Sequence, residues 1–377
     1  MNLIAADSNG DVLYADAGPV PNITDTQMQE CAVLHGAAFD GTRSGCLWRD
    51  DSAAATPGIL PPHELPVLVR DDYVLNSNDS YWLTHAEDRL EGYASVLGKE
   101  KTPRTLRTRS AFDMISSLGL SGEGKKRAVT IPDLQSMLFS NSHQAGLILR
   151  NDLVSMCRDQ PKVTLEGGHV VDLRHACTVL SEWDVHANLE SRGAHLFREF
   201  LSIANEGKYH RWLPPSFKPR VAFDLNHPLR TPNGLDPRDN DDVLVSLAKA
   251  VQRLQGAGIA LDARLGDVQY VTRNAQRIPI HGGQEIEGVY NKVEADFVSA
   301  AGYPEVTRWS SSWMMASDFS RDGPVIEAIL AYSLSANPDS PHYADQTAMF
   351  SQKRWLALPF DTKDIDSATL RHYTVAQ

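Results

Sequence analysis

Apolar residues alternate with polar ones at both ends of the chain and recur at helical spacing in the middle. Ile4-Ala5-Ala6 and Val12-Leu13-Tyr14 flank Asn9-Gly10, which reads as a hairpin around an Asn-Gly turn. Residues 25–66 are rich in Gly, Pro and Asp and read as irregular. Strand signal returns at Leu65-Pro66-Val67-Leu68-Val69 and again over Tyr73–Trp82. From about 103 to 206 the period turns helical: Leu106, Met114, Ile115 and Leu118 share a face. Thr130-Ile131-Pro132-Asp133 supplies a capping hydroxyl, an early Pro and a first-turn acid.

Residues 207–240, with Pro214, Pro215, Pro219, Pro228, Pro232 and Pro237, read as loop. Val243, Leu244, Leu247, Val251 and Leu254 then form one face of an amphipathic helix, with acids at its start and Gly256 at its end. Strands follow at Asp267–Val271, Arg277–Ile280, Gly288–Tyr290, Trp309–Phe319 and Val325–Ser335. This order, strands, then a helical insert, then strands, predicts an α+β protein with one sheet-based core. The parts are a sheet portion over 1–102, a helical lobe over 103–206 and a second sheet portion over 207–377.

A chain of 377 residues can hold one large domain or two ordinary ones. Thirty-six Lys and Arg stand against 48 Asp and Glu, a net charge of −12, which argues against a nucleic-acid partner. No apolar run reaches the length of a membrane span, and the first residues do not form a signal peptide. Beginning inside a hairpin, the chain is expected to be the later part of a longer sequence. The four cysteines fall into two close pairs, Cys31 with Cys46 and Cys157 with Cys177. Local disulfides made in an oxidising compartment are one reading; four buried free thiols are the other.

Asn76 and Asn78 lie two apart in what reads as a strand, so they are expected on one face. Asn is unusual in a strand, and its NH2 can donate to an oxyanion without titrating. The bland alternative is a pair of asparagines bracing backbone. Arg107 and Arg109 open a helix, where a guanidinium can hold a site carbonyl or merely face solvent.

Other candidates offer less. Among the 13 histidines, His281-Gly282-Gly283 and Asp184-Val185-His186 show neither HExxH nor triad spacing. The Asp236–Asp242 acid run lacks the pattern of a calcium loop, Glu87 and Asp88 read as a solvated loop, and Ser77, Ser80 and Ser310 to Ser312 sit in no nucleophile elbow. No metal or cofactor is expected.

The segment from Leu65 through Arg70 into Asn76-Ser77-Asn78-Asp79-Ser80-Tyr81-Trp82-Leu83-Thr84 resembles the β-chain of the penicillin acylase family of N-terminal-nucleophile hydrolases. It is most similar to the branch of acyl-homoserine-lactone and aculeacin-type acylases. Ala263–Gln269, His281-Gly282-Gly283 with Gly288–Asn291, and Ser340–Thr347 with Phe350-Ser351 carry the same resemblance, which runs from the first hairpin to the Trp355–Phe360 tail. The cysteine pairs also suit this branch.

The resemblance implies an αββα sandwich, incomplete here, and hydrolysis of a fatty-acyl amide: an N-acyl homoserine lactone or an acylated peptide antibiotic. It implies a serine nucleophile that uses its own α-amino group as base. The oxyanion is then held by a backbone N–H and an Asn, which an Arg orients. On this sequence the Asn is Asn78 and the Arg is Arg107, with Arg109 as fallback; no nucleophile is found, and substrate-binding residues are not assigned. The expectation is a β-chain portion, inactive alone, whose partners are the upstream β-chain segment and the α-chain of one precursor, in the periplasm or secreted. Unpaired sheet edges make it an aggregation hazard. A β-lactam acylase with an aromatic acyl group, or a non-catalytic acyl-binding remnant, are the alternatives.

Overall fold

The computed structural model describes residues 2–34, 38–120, 128–205, 217–306, 310–320 and 323–374. Met1, Pro214, Pro215 and Trp309, each part of an expectation above, lie outside them. The described residues mix helices with small antiparallel sheets, an α+β arrangement, in two compact units: residues 1–127 with 223–231, and residues 128–222 with 232–377.

In the first unit, β1 (Asn2–Ala6) and β2 (Val12–Asp16) form the hairpin. Its turn is closed by the Asp7 carboxylate, which accepts from the amides of Asn9 and Asp11. The stretch expected to be irregular contains α1 (Asp25–Cys31), started by a Thr24–Gln27 capping box, and the short pair β3 (Ala32–Val33) and β4 (Ala38–Phe39). A disulfide joins Cys31 to Cys46. β5 (Val67–Arg70) then pairs with β2, placing Leu68 opposite Tyr14. Tyr14, Leu68, Tyr81 and Leu90 make the core beneath one face of this sheet, while Leu3, Val67 and Val69 on the other face are exposed. α2 (Leu106–Ser117) closes the unit, buried along Leu106, Phe112, Met114 and Ile115.

The second unit opens with α3 (Ile131–Phe139), whose start is the Thr130–Asp133 capping box. α4 (Gln144–Asp159) follows, then the hairpin β6 (Lys162–Thr164) and β7 (Val170–Asp172), α5 (Arg174–Glu182) and α6 (Ala194–Ala204). A second disulfide, Cys157–Cys177, ties α4 to α5. α7 (Asn240–Gly256) packs on α6 and α4, burying Val243, Leu244, Leu247, Val251 and Leu254 as its pattern predicts.

The Asp267–Val271 expectation is split: α8 (Leu265–Val268) is a helical turn, and β8 (Tyr270–Arg273) begins after it, paired with β9 (Gln276–Pro279). Gly288–Tyr290 is not a strand. A capped helical turn at Glu285–Glu287 ends on Gly288 with φ +69°, which turns the backbone away from extended geometry. β10 (Trp313–Ser320), β11 (Gly323–Leu330) and β12 (Leu356–Leu358) form the last sheet, and α9 (Asp345–Ser351) and α10 (Thr362–Ala368) complete the chain. Phe139, Val271, Ile278, Ile280, Met314, Ile329 and Phe350 form the core here.

Candidate active site

Strand geometry stops at Arg70, because the residues after it satisfy one another locally. Arg70 grips the Asp72 carboxylate through Nε (2.7 Å) and Nη2 (2.8 Å), holding that carboxyl well below the usual range. The chain then folds into a loop closed by the Leu75 amide on the Thr84 carbonyl at 3.0 Å, with Trp82 wholly buried beneath it. The expected strand over Tyr73–Trp82 is therefore a turn. Asn76 accepts the Asn78 amide on its Oδ1 (2.9 Å) and donates Nδ2 to the Asp79 carbonyl (3.3 Å). Such short side chains outcompete a ladder by bonding their own backbone two or three residues on.

This corrects the placement of both asparagines on one strand face. Asn76 braces the turn from within. Asn78 sits at its tip, exposed, with φ +57°, a left-handed conformation that asparagine tolerates better than most side chains.

α2 brings the arginines. Thr105 caps it, its hydroxyl accepting from the Thr108 amide at 3.2 Å. Arg107, in the first turn, donates Nη2 to the Oδ1 of Asn78 at 2.9 Å. Arginine is a donor only, so the atom facing it must be the amide oxygen, which fixes the orientation of the side-chain amide. The Nδ2 of Asn78 donates to no other described residue. It presents N–H groups outward from an amide that the guanidinium polarises.

Arg109 is two residues further, roughly 200° around a helix at 3.6 residues per turn. It is buried and donates Nε to the Leu229 carbonyl at 2.9 Å; burial lowers its guanidinium to about 10. The structure thus brings together Asn78 and Arg107 and directs Arg109 to the Leu229 carbonyl.

Sequence reasoning passed over Asp79. Its Oδ1 accepts from Arg104 Nη1 (3.1 Å) and the Ser80 amide (2.8 Å), and its Oδ2 from the Thr105 amide (2.9 Å) and Thr108 Oγ1 (3.0 Å). Arg104, buried, lies over the Trp82 ring at 5.1 Å. An acid beside Asn78 with Arg and two Thr 25 to 29 residues later was the available signal.

Most of the remaining candidates are held by other residues, while the buried Ser77 hydroxyl has no hydrogen-bond partner among the described residues. Asp88 pairs with Arg70 at 3.1 Å, Asp236 is held by Arg238, and Asp241 and Asp242 lie in the first turn of α7. His186 contacts the Asp184 carbonyl at 2.6 Å, and His281 is buried in a network of side-chain amides. Ser80 Oγ accepts from the Trp82 amide, and Ser310 Oγ from the Glu294 amide. Among the described residues no group of three or more His, Cys, Asp or Glu could hold a metal.

The site is thus an exposed asparagine whose carbonyl is pinned by an arginine, in a disulfide-bonded α+β chain. The family model described as penicillin amidase matches residues 1–367. This chain belongs to the penicillin amidase family. It is similar to the aculeacin-A acylase of Actinoplanes utahensis, with 40% identity over 397 aligned residues that cover all of this chain and 48% of that protein. It is similar to the acyl-homoserine lactone acylase PvdQ of Pseudomonas savastanoi pv. phaseolicola, at 32% identity over 97% of this chain and 45% of that protein. The PvdQ of Pseudomonas putida is 29% identical over 97% of this chain and 44% of its own length. The chain spans about half the length of the curated relatives it matches. The relatives it matches are named as acylases. No helix among the described residues is long and apolar enough to cross a membrane.

Proposed function

We propose that this chain contributes the oxyanion-stabilising side of an amide hydrolase that removes a fatty-acyl group from N-acyl homoserine lactones or acylated peptide antibiotics. The observation that carries the reading is the 2.9 Å bond from Arg107 Nη2 to Asn78 Oδ1, which leaves the Asn78 amide protons pointing outward. A tetrahedral intermediate of acyl transfer places negative charge on the former carbonyl oxygen. A neutral N–H aimed at that oxygen stabilises the charge without giving up a proton, and the guanidinium behind it raises the amide's donor strength. The attacking group in this family reading is a serine with its own α-amino group as base.

The fold we assign to the complete enzyme is the αββα sandwich of N-terminal-nucleophile hydrolases, which the antiparallel sheets of both units support. The two disulfides support an oxidising compartment, periplasmic or extracellular. The relatives named for aculeacin A and acyl-homoserine lactones favour fatty-acyl amides over aromatic β-lactams.

The test is deacylation of a long-chain N-acyl homoserine lactone and of an acylated lipopeptide by the protein carrying this chain at its relatives' full length. Asn78→Ala is expected to lower kcat by a factor of about 100–1,000 with the fold intact. If the wild type releases no fatty acid, or if the variant matches it, the reading is wrong; binding of the acyl amide without turnover would point to a non-catalytic module.

A further inference from the structure

Asn78 can act as an oxyanion donor only if its amide is held still, yet it sits exposed at the tip of a turn and its partner is the end of a long, flexible arginine. Free rotamers at either residue would cost much of the benefit, since ordering a rotamer-rich side chain opposes any contact it makes. Something must set the spacing between the turn and helix α2.

We infer that Asp79 is the positioning residue that does so. Both of its carboxylate oxygens are committed: one to Arg104 and its own neighbour Ser80, the other to the Thr105 amide and the Thr108 hydroxyl. The Asp79 and Arg104 side chains are only 4% and 1% exposed, so neither partner can be replaced by water without rearrangement. Apart from Ser80, the ligands of the carboxylate lie at residues 104, 105 and 108, that is, just before the cap, on it and in the first turn that carries Arg107. The carboxylate itself belongs to the residue after Asn78. Asp79 therefore rivets the backbone on each side of the Arg107–Asn78 bond, and an anion at a helix start also suits the helix dipole. Arg104 in turn is immobilised by Trp82, the Lys99 carbonyl and Thr102. The pair anchors the turn to the protein interior, and Asn78 acquires its aim through its neighbour.

This inference rests on the proposed role of Asn78, so its test separates the two. In the full-length enzyme, Asp79→Asn places an NH2 where Arg104 or the Thr105 amide donates, which breaks the rivet while keeping side-chain volume. The expected result is a kcat lowered tenfold or more with KM within twofold of wild type. In an Asn78→Ala background the same substitution should change kcat less than twofold, because the group that Asp79 aims is already gone. Losses that multiply across the two sites, or a kcat untouched by Asp79→Asn while Asn78→Ala is impaired, overturn it. Should Asp79→Asn lower the melting temperature so far that the enzyme does not fold, Thr108→Val, which removes one bond to Asp79, replaces it under the same criteria at a threefold threshold. If Asn78→Ala alone leaves kcat intact, the functional reading fails first and takes this inference with it.

Discussion

Arg107 meets Asn78 head-on, with Nη2 2.9 Å from the amide oxygen. A bond from a cationic donor to a neutral amide is worth about 1.5–3 kcal/mol, and each 1.4 kcal/mol is a factor of ten in rate. Arg107→Met should therefore lower kcat about 10- to 100-fold, while Arg107→Lys, with one rotatable donor in place of a planar fork, should recover part of the loss. Steady-state kinetics on an acyl amide decides it; a Met variant within twofold of wild type contradicts the assigned role.

Buried His281 carries a pH dependence of stability. Its Nε2 donates to the Phe350 carbonyl at 2.8 Å, and its Nδ1 receives the amide groups of Asn141 and Asn291, each at 3.1 Å. A second proton on Nδ1 would face two donors, and burial lowers the imidazole from 6.5 to about 4. His195 is likewise lowered by burial to about 4. Below about pH 6.5 the unfolded chain takes up protons that the folded one refuses, so stability is complete above that pH and declines as pH falls towards 4. Urea midpoints measured from pH 7.5 to 4.5 should drop steadily. His281→Gln should flatten part of that slope; an unchanged slope counts against the assignment.

The Cys157–Cys177 disulfide closes a loop of 20 residues between α4 and α5. Chain-entropy reasoning gives about 3 kcal/mol for a loop of that size. Replacing both cysteines with Ala should lower the unfolding free energy by about 2–4 kcal/mol, and reductant should have no further effect at this pair. A double variant as stable as wild type in denaturant titration rules this out.

Arg198 and Glu287 form a buried ion pair, Nε to Oε1 3.1 Å, with His143 Nε2 on the same oxygen at 3.1 Å. Burial alone would raise the Glu287 carboxyl, but Arg198 and His143 prevail and hold it at about 2. Arg198→Met leaves that carboxylate without its main counterion, and the expected cost is about 3–5 kcal/mol. Arg198→Met with Glu287→Leu should be far closer to wild type than the single variant. A single variant that loses under 1 kcal/mol in urea would show that the carboxylate finds another partner.

What could be read from the chain follows from how local each signal is. The Asn9-Gly10 hairpin, the Thr130 cap and the stripe on α7 depend on residues within a few positions of one another, and all appear as patterns. The contact between Asn78 and Arg107, 29 residues apart, follows a family motif and no local period, and the strand-face expectation for Asn78 does not hold. Alternating Tyr73, Leu75 and Ser77 do become buried, but the asparagines bond their own turn and prevent a ladder, so period two persisted without a strand. Helix α1 hid in a Gly-rich and Asp-rich stretch because it is short and buries only Cys31. The His281 network joins residues 140 and 10 positions away, and no local pattern announces it.

The positive φ of Asn78 separates two demands on one position. A library randomised there should sort differently under heat than under turnover. Glycine, aspartate and asparagine accept this backbone cheaply, whereas valine or isoleucine must drag the loop out of shape. Glycine would thus rank high for thermal survival and low for hydrolysis, and asparagine alone of the three supplies an uncharged N–H.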